Sequence, residues 1–373
     1  MSAQNKLPVH EPDLGEEEIQ SVLGALRRGE ISGSFGKAIP EFEEQFAAFC
    51  GCKYGVAVTS GTAALQVAVA AAGIGRGDEI LMSASTNIAT ALAAYHNGAN
   101  SVAVDSEPVT WNLDPDLIER LITPRTKAII PVHLFGHPCD MDRIMAVARR
   151  HNLTVIEDCA ESHGATWQGR MTGSFGDMAC FSFYANKIIT TGEGGMVVTN
   201  DPALGERLRL LRNLGFGKPR FYHEVPAYNF RMTGMQAALG LAQLAKIDRF
   251  IAQKRTVAAT YNELLANIPG IQTPAELPGA MNVYWMYAIV IGPEFGRTRD
   301  ELATILLEQG IETRTFFCPM NLQPFLRAQE GHRDVGCPVA ERLWQDGFYL
   351  PSANQLDRLS IARVCEAIAA ARR

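Results

Sequence analysis

No apolar run in this 373-residue sequence is long enough to cross a bilayer. The longest, about 67–73, is Ala-rich and far short of the roughly 20 residues that a spanning helix needs. The opening residues, MSAQNKLPVHEPD, hold no apolar signal region, so a cytoplasmic location is expected. A basic footprint is missing too. The net charge is −6, with 34 Lys and Arg dispersed among 40 Asp and Glu, which argues against nucleic acid or an anionic membrane as partner. No G-x-G-x-x-G follows the first apolar strand, which weakens a nicotinamide-dehydrogenase reading. Of eight cysteines only Cys50 and Cys52 are close, and C-x-C without a second pair is a poor metal signature. The cysteines are expected as small core residues in a reducing compartment, with no metal required. Repeats, low-complexity tracts and long linkers are likewise missing.

What is present is the composition of a globular protein, 47% hydrophobic and 20% charged. Residues 16–28 and 40–49 carry apolar side chains at helical spacing, the latter as a Phe42, Phe46, Phe49 stripe expected to be core. Short apolar runs then recur at 55–58, 79–82, 101–104, 127–132, 153–157, 178–183 and 195–199. Helical stretches at 62–72, 116–122 and 141–151 separate several of them. Strands alternating with helices predict an α/β fold with a large, mainly parallel, seven-stranded sheet covered on both faces. A Gly-rich loop separates the last two runs, which admits an antiparallel strand. Beyond about 240 the pattern changes to a long helix over 236–266, a strand at 284–291, a helix at 298–309, a strand at 311–317, and helices near 336–345 and 357–371. We expect a large domain over 1–240 and a smaller α+β domain over 241–373.

Three segments carry chemistry. SGTAAL (60–65) follows a strand and opens a helix. Gly61 admits close backbone approach, and the helix start offers N–H groups and a positive dipole end to a phosphate; an ordinary N-cap reads the same way. In VIEDCAESHGA (155–165), Asp158 ends a strand, where ligands of parallel sheets bind. A carboxylate there can keep a pyridine nitrogen protonated and make the ring an electron sink, or merely cap a helix. In FSFYANKIITTGEGG (181–195), Lys187 is the only cation, just past a strand end. A lysine in an apolar pocket has a depressed pKa and is nucleophilic toward aldehydes, whereas a lone lysine is ordinarily a surface charge. His133 and His163 are expected to be structural, and Trp285 to be core.

Taken together and in this order, the segments resemble the fold-type I (aspartate aminotransferase-like) pyridoxal-phosphate (PLP) enzymes, and more narrowly the DegT/DnrJ/EryC1/StrS family of sugar aminotransferases. The likeness runs from about residue 7 to 355 and includes GIGRGDEI (73–80), ITPRTKAIIPVHLFG (122–136), YNFRMTGMQAALGLAQL (228–244), YWMY (284–287) and LPS (350–352). It implies Lys187 as the Schiff-base lysine and Asp158 as the partner of the pyridine nitrogen. It places Glu161 near the PLP hydroxyl, Ser60, Gly61, Thr62 and Ser182 at the phosphate, and Asn87 over the ring. Asn229 matches a residue that reaches the phosphate from a neighbouring subunit, which implies a homodimer with shared sites. Ser32, Arg231, Arg314, Cys318 and Asn321 are expected to meet the substrate, though a structural ion pair is an equal reading of Arg231. The implied reaction moves an amino group, from glutamate through PLP and its amine form PMP, onto a nucleotide-linked 4-keto-6-deoxy sugar of a glycan precursor such as O-antigen. Another keto sugar or a keto cyclitol is the alternative substrate; a PLP-binding regulator is the non-enzymatic alternative, and Lys187 argues against a dehydratase that carries His there. Three positions depart from the family pattern. Asn87 stands in Thr86-Asn87-Ile88-Ala89-Thr90 where an aromatic ring is usual, Cys318 and Asn321 replace two His of the perosamine-type motif, and Glu30 replaces a Trp before Ile31-Ser32.

Overall fold

Strands that are apolar on both faces need cover on both sides, and the chain supplies it. The computed structural model describes residues 6–33, 35–219 and 221–373. All seven anticipated runs become strands of one sheet: β1 (Tyr54–Val58), β2 (Glu79–Ser83), β3 (Asn100–Val104), β4 (Thr126–Ile130), β5 (Thr154–Asp158) and, after a short hairpin of β6 (Thr166–Trp167) and β7 (Arg170–Met171), β8 (Met178–Ser182) and β9 (Gly195–Thr199). Their order is β1-β9-β8-β5-β4-β2-β3. Strand β9 is antiparallel to both its neighbours, and the other pairings are parallel. Side chains alternate between faces. Ile80 and Met82 join one core with the helices Gly61–Ala71 and Ile88–His96, while Leu81 joins another with Ile144 and Val147 of the helix Met141–His151. The Phe42 and Phe46 rings are fully buried against Phe183, as the stripe predicts.

The second half holds a four-stranded antiparallel sheet in the order β10-β12-β14-β13, made of β10 (Ile271–Gln272), β12 (Ala288–Ile291), β13 (Arg314–Thr315) and β14 (Gly347–Tyr349), while β11 (Ala280–Met281) extends the hairpin at β6. Its core joins Tyr261 and Leu265 to Ile289, Leu302, Leu306, Ile361 and Val364. The N-terminal segment reaches this half, since Leu7 bridges Ile311 and Val9 O accepts the Ser352 N–H.

Three expectations are corrected. The long helix over 236–266 is two, Gly234–Leu244 and Ile247–Leu265. At the break the Lys246 N–H bonds Gln243 O, three residues back, while the Lys246 ammonium and the Gln243 amide both turn to Glu18 of the first helix. The strand over 284–291 starts only at Ala288, because Tyr284 adopts φ 49° and gives its N–H to the Asn282 side chain. The strand over 311–317 shrinks to Arg314–Thr315.

Gly195, at the start of β9, ties sheet to helix. A Cβ there would lie 2.2 Å from the Ser60 carbonyl oxygen and 2.9 Å from the Gly61 nitrogen. Backbone cannot swing aside as a flexible side chain can. Gly195→Ala is expected to lower stability by about 1–3 kcal/mol, read as a lower urea midpoint at unchanged slope. An unshifted midpoint contradicts the close packing.

Candidate active site

The C-terminal edge of the parallel strands carries a cavity of about 260 Å³. Ser60, Gly61, Thr62, Asn87, Asp158, Glu161, Ser182 and Lys187, eight of the anticipated residues, line it together. They arrive on four strand ends or the segments after them, those of β1, β2, β5 and β8, which is how a doubly covered sheet gathers distant sequence. Ser60 caps the helix Gly61–Ala71 by accepting the Ala63 N–H at 3.1 Å. Helix geometry leaves the N–H groups of Gly61 and Thr62 without intrahelical partners at the cavity wall. Gly61 packs so tightly on Ser182 that a Cβ would come 2.7 Å from the Ser182 Cβ. This is a cradle open to an anion on one side and closed by a hydroxyl on the other.

Asp158 is buried at the end of β5. One carboxylate oxygen accepts the Thr90 hydroxyl at 2.8 Å, and the other accepts the Ala160 N–H at 3.2 Å. Thr90 is held in turn by Thr86, 2.8 Å away. Burial pushes the Asp158 carboxyl above its ordinary value, while the two hydrogen bonds and the Lys187 charge oppose. The preceding residue, Glu157, points to the other face of the sheet. It accepts the N–H groups of Gly173, Phe175 and Gly176 at 2.8–2.9 Å and faces His133 Nε2 at 3.2 Å. Because the Cys139 N–H donates to His133 Nδ1, the ring proton is on Nε2 and donates to Glu157. His133 is therefore structural, as anticipated. His133, Glu157 and Cys159 cluster closely enough to resemble a metal site, but these donors already occupy the carboxylate.

Lys187 is nearly enclosed. Its Nζ lies 4.0 Å from Glu161 Oε1 and 3.8 Å from the centre of the Trp285 ring. Burial pushes the amine below its ordinary value, while Glu161 and Asp158 pull it back. Glu161 accepts the Phe135 N–H at 2.8 Å, and burial pushes its carboxyl up to about 7. His163 is buried among Phe46, Phe181 and Phe183, and burial pushes it down to about 3. That setting fits the expected structural role.

Trp285 is buried in the core, as expected, and it also serves the site. Although only 2% exposed, it is part of the cavity wall, with Tyr184, Phe317 and Tyr349. A tryptophan in an apolar run reads as core, and nothing in its spacing signals a pocket. Thr90 was missed as well, though its i, i+4 spacing from Thr86 on the helix edge was a usable signal. The remaining predicted residues do not line the cavity. Asn87 does so only as the exposed N-cap of the helix Ile88–His96, accepting the Ala89 N–H. Asn229 is exposed beside Asn213, and Arg231 donates to the Asn213 side chain at 2.9 Å. Ser32 lies in the loop between the first two helices and Arg314 on β13, exposed. Cys318 is half-buried, and Asn321 is buried and donates to Glu341 at 2.8 Å.

Comparison with known proteins agrees with this geometry. A model of the DegT/DnrJ/EryC1/StrS aminotransferase family matches residues 12–369. The GDP-perosamine synthase of Caulobacter vibrioides is 44% identical over 370 residues, covering 99% of each chain. Among solved structures, DesV of Streptomyces venezuelae superimposes with a TM-score of 0.89 at 38% identity, over 96% of this chain and 95% of that one. A protein of Streptococcus pneumoniae described as a sugar aminotransferase, solved in its PLP form, gives 0.91 at 27% identity over 98% of each.

Glu161 provides a pH test. Its carboxyl binds a proton more tightly folded than unfolded, so its contribution favours folding below its ordinary value of 4.5 and is lost as pH rises through about 7. In cofactor-free protein, the thermal midpoint of Glu161→Gln relative to the parent is expected to rise between those two values and then level. A flat difference across the window would show that burial does not hold the proton on Glu161.

Proposed function

The chain belongs to the DegT/DnrJ/EryC1/StrS aminotransferase family, and from that premise we propose that it aminates C4 of a nucleotide-linked 4-keto-6-deoxyhexose, the GDP-mannose series favoured, with glutamate as donor. It is a PLP-dependent transaminase with the fold-type I architecture. The observation that carries the substrate reading is the joining of amine, strand-end carboxylate and anion cradle in one cavity, in a chain alike over nearly its whole length to a GDP-perosamine synthase.

The cavity's residues fit the cofactor. The Ser60–Thr62 cradle with Ser182 suits a phosphate, Asp158 suits a ring nitrogen, and Glu161 a ring hydroxyl. When bound, PLP supplies an aldehyde that takes up amines and a protonated ring that draws electrons from an adjacent carbon. Lys187 would hold the aldehyde, because burial pushes its amine below the ordinary lysine range and so favours the nucleophilic neutral form. Once free, its Nζ would take a proton from the α-carbon of the donor and return it two bonds away, as base and then acid. Asp158, held by the Thr90 hydroxyl, would keep the ring nitrogen protonated. Trp285, Phe317, Tyr184 and Tyr349 give the cavity an aromatic wall.

We further propose a homodimer in which Asn229 of one protomer completes the phosphate site of the other. Asn229 is exposed and does not line its own cavity, which agrees with a role across an interface. Ser32, Arg231, Arg314, Cys318 and Asn321 are proposed to contact the sugar nucleotide in the assembled site.

Borohydride reduction followed by peptide mapping is expected to place the pyridoxyl group on Lys187, and label on another lysine rejects the assignment. PMP-loaded enzyme is expected to turn over GDP-4-keto-6-deoxymannose with a higher kcat/KM than dTDP- or UDP-linked keto sugars or a keto cyclitol. Equal or better turnover of the cyclitol rejects the sugar-nucleotide reading.

Mixing tests the dimer. Lys187→Ala and Asn229→Ala subunits, each inactive alone, are expected to regain activity once exchanged, since one site per mixed dimer is then intact. No recovery after verified subunit exchange means that each site is built from one chain.

A further inference from the structure

Trp285 is held from two directions that have nothing to do with filling space. Its indole N–H donates to the Asn186 carbonyl at 2.6 Å, next to Lys187 in sequence. Its own carbonyl accepts the Lys254 ammonium at 3.0 Å, and the same ammonium reaches the Ser352 carbonyl. Lys254 is fully buried on the helix Ile247–Leu265, and burial alone pushes it down to about 7. Burying an ammonium between two carbonyls is a costly way to hold a loop. Phe135 stacks behind the indole at 6.4 Å and 18°. The ring is thus fixed in position, height and tilt, and it carries the Lys187 nitrogen 3.8 Å from its centre.

We propose that Trp285 is the positioning residue of Lys187, a shelf on which the ε-ammonium rests whenever it is not bonded to the cofactor. The inference rests on the reading of Lys187 as the cofactor-holding lysine. Its physical ground is the difference between two kinds of attraction. A direct ion pair with Glu161 would lock the nitrogen through short, directional hydrogen bonds, but at 4.0 Å that pair is open. A ring face attracts a cation without fixing its bearing in the ring plane. The nitrogen can therefore move across the shelf without breaking a hydrogen bond, as a group must that takes a proton at one atom and returns it at another. The titratable groups around it are Asp158 at the end of β5, Glu161 and His163 on the loop that follows, and His10 from the N-terminal segment. The shelf has no titratable group of its own.

The test uses cofactor-free protein, so it does not depend on turnover. Lys187 is labelled with trace acetic anhydride across a pH series and quantified by peptide mass, with exposed Lys127 as internal standard. Trp285→Phe is expected to lower the labelling midpoint of Lys187 by about half a unit and Trp285→Leu by about one unit, as loss of a ring face implies. Unfolding midpoints show that the variants are folded, and the Phe variant alone decides the matter if the Leu variant is not. An unchanged midpoint overturns the proposal. A raised midpoint overturns it too, because it means that the indole serves only as an apolar lid. If borohydride labels a different lysine, the reading of Lys187 fails and takes the shelf with it; if it labels Lys187 and the midpoint stays still, only the shelf fails.

Discussion

One buried carboxylate fixes the geometry on which the rest depends. Glu157 accepts three backbone N–H groups from the 173–176 loop and the His133 proton, so its charge is matched without a cation. Removing a partner would leave an uncompensated charge in the interior, which costs several kcal/mol. The end of β5 therefore has little freedom. Since neighbouring strand residues face opposite ways, anchoring Glu157 beneath the sheet also orients Asp158 above it. The residues on one face of a strand do the holding, and those on the other face do the chemistry.

Above the sheet the balance is finer. Lys187, Glu161 and Asp158 share one small volume, and burial opposes charge on each. None is matched as fully as Glu157. The two carboxyls are pushed up and the amine down, so all three are brought toward the range where protons move at neutral pH. Thr90 and the Phe135 N–H keep the carboxyls from collapsing onto the amine. The contrast between a saturated carboxylate below and unsaturated groups above marks which face is reactive.

Much of this was legible in the sequence because the large sheet is made of uninterrupted apolar runs, and both-face burial leaves that signature. All seven strands fall within a few residues of their runs, and the reversed strand is the one preceded by glycines. Lys187, Asp158 and Ser60–Thr62 were readable because strand ends are where such residues gather. The rest depends on contacts that no local pattern encodes. The helix break at Lys246 comes from Glu18, far away in the chain. The shortened strand at Ala288 follows from a left-handed Tyr284. Trp285 is core, as its apolar run predicts, but nothing local tells an indole packed under a lysine from one packed under a leucine. Ser32, Arg231, Arg314, Cys318 and Asn321 were named from likeness alone, and in a single chain they do not line the cavity.

The reversed strand has a consequence for synthesis. In β1, Tyr54 pairs with Thr199 of β9, so the first strand made waits for the last one to reach the sheet. Until then β1 lacks its neighbour, and the Ser60 turn lacks the glycine that packs against it. Pairing over such a span is slow to find, because loop closure must precede the contact. A nascent chain emerging from the ribosome thus exposes a bare β-edge through most of the domain's translation. Its cofactor pocket becomes a pocket only when a single strand slides between two that already exist.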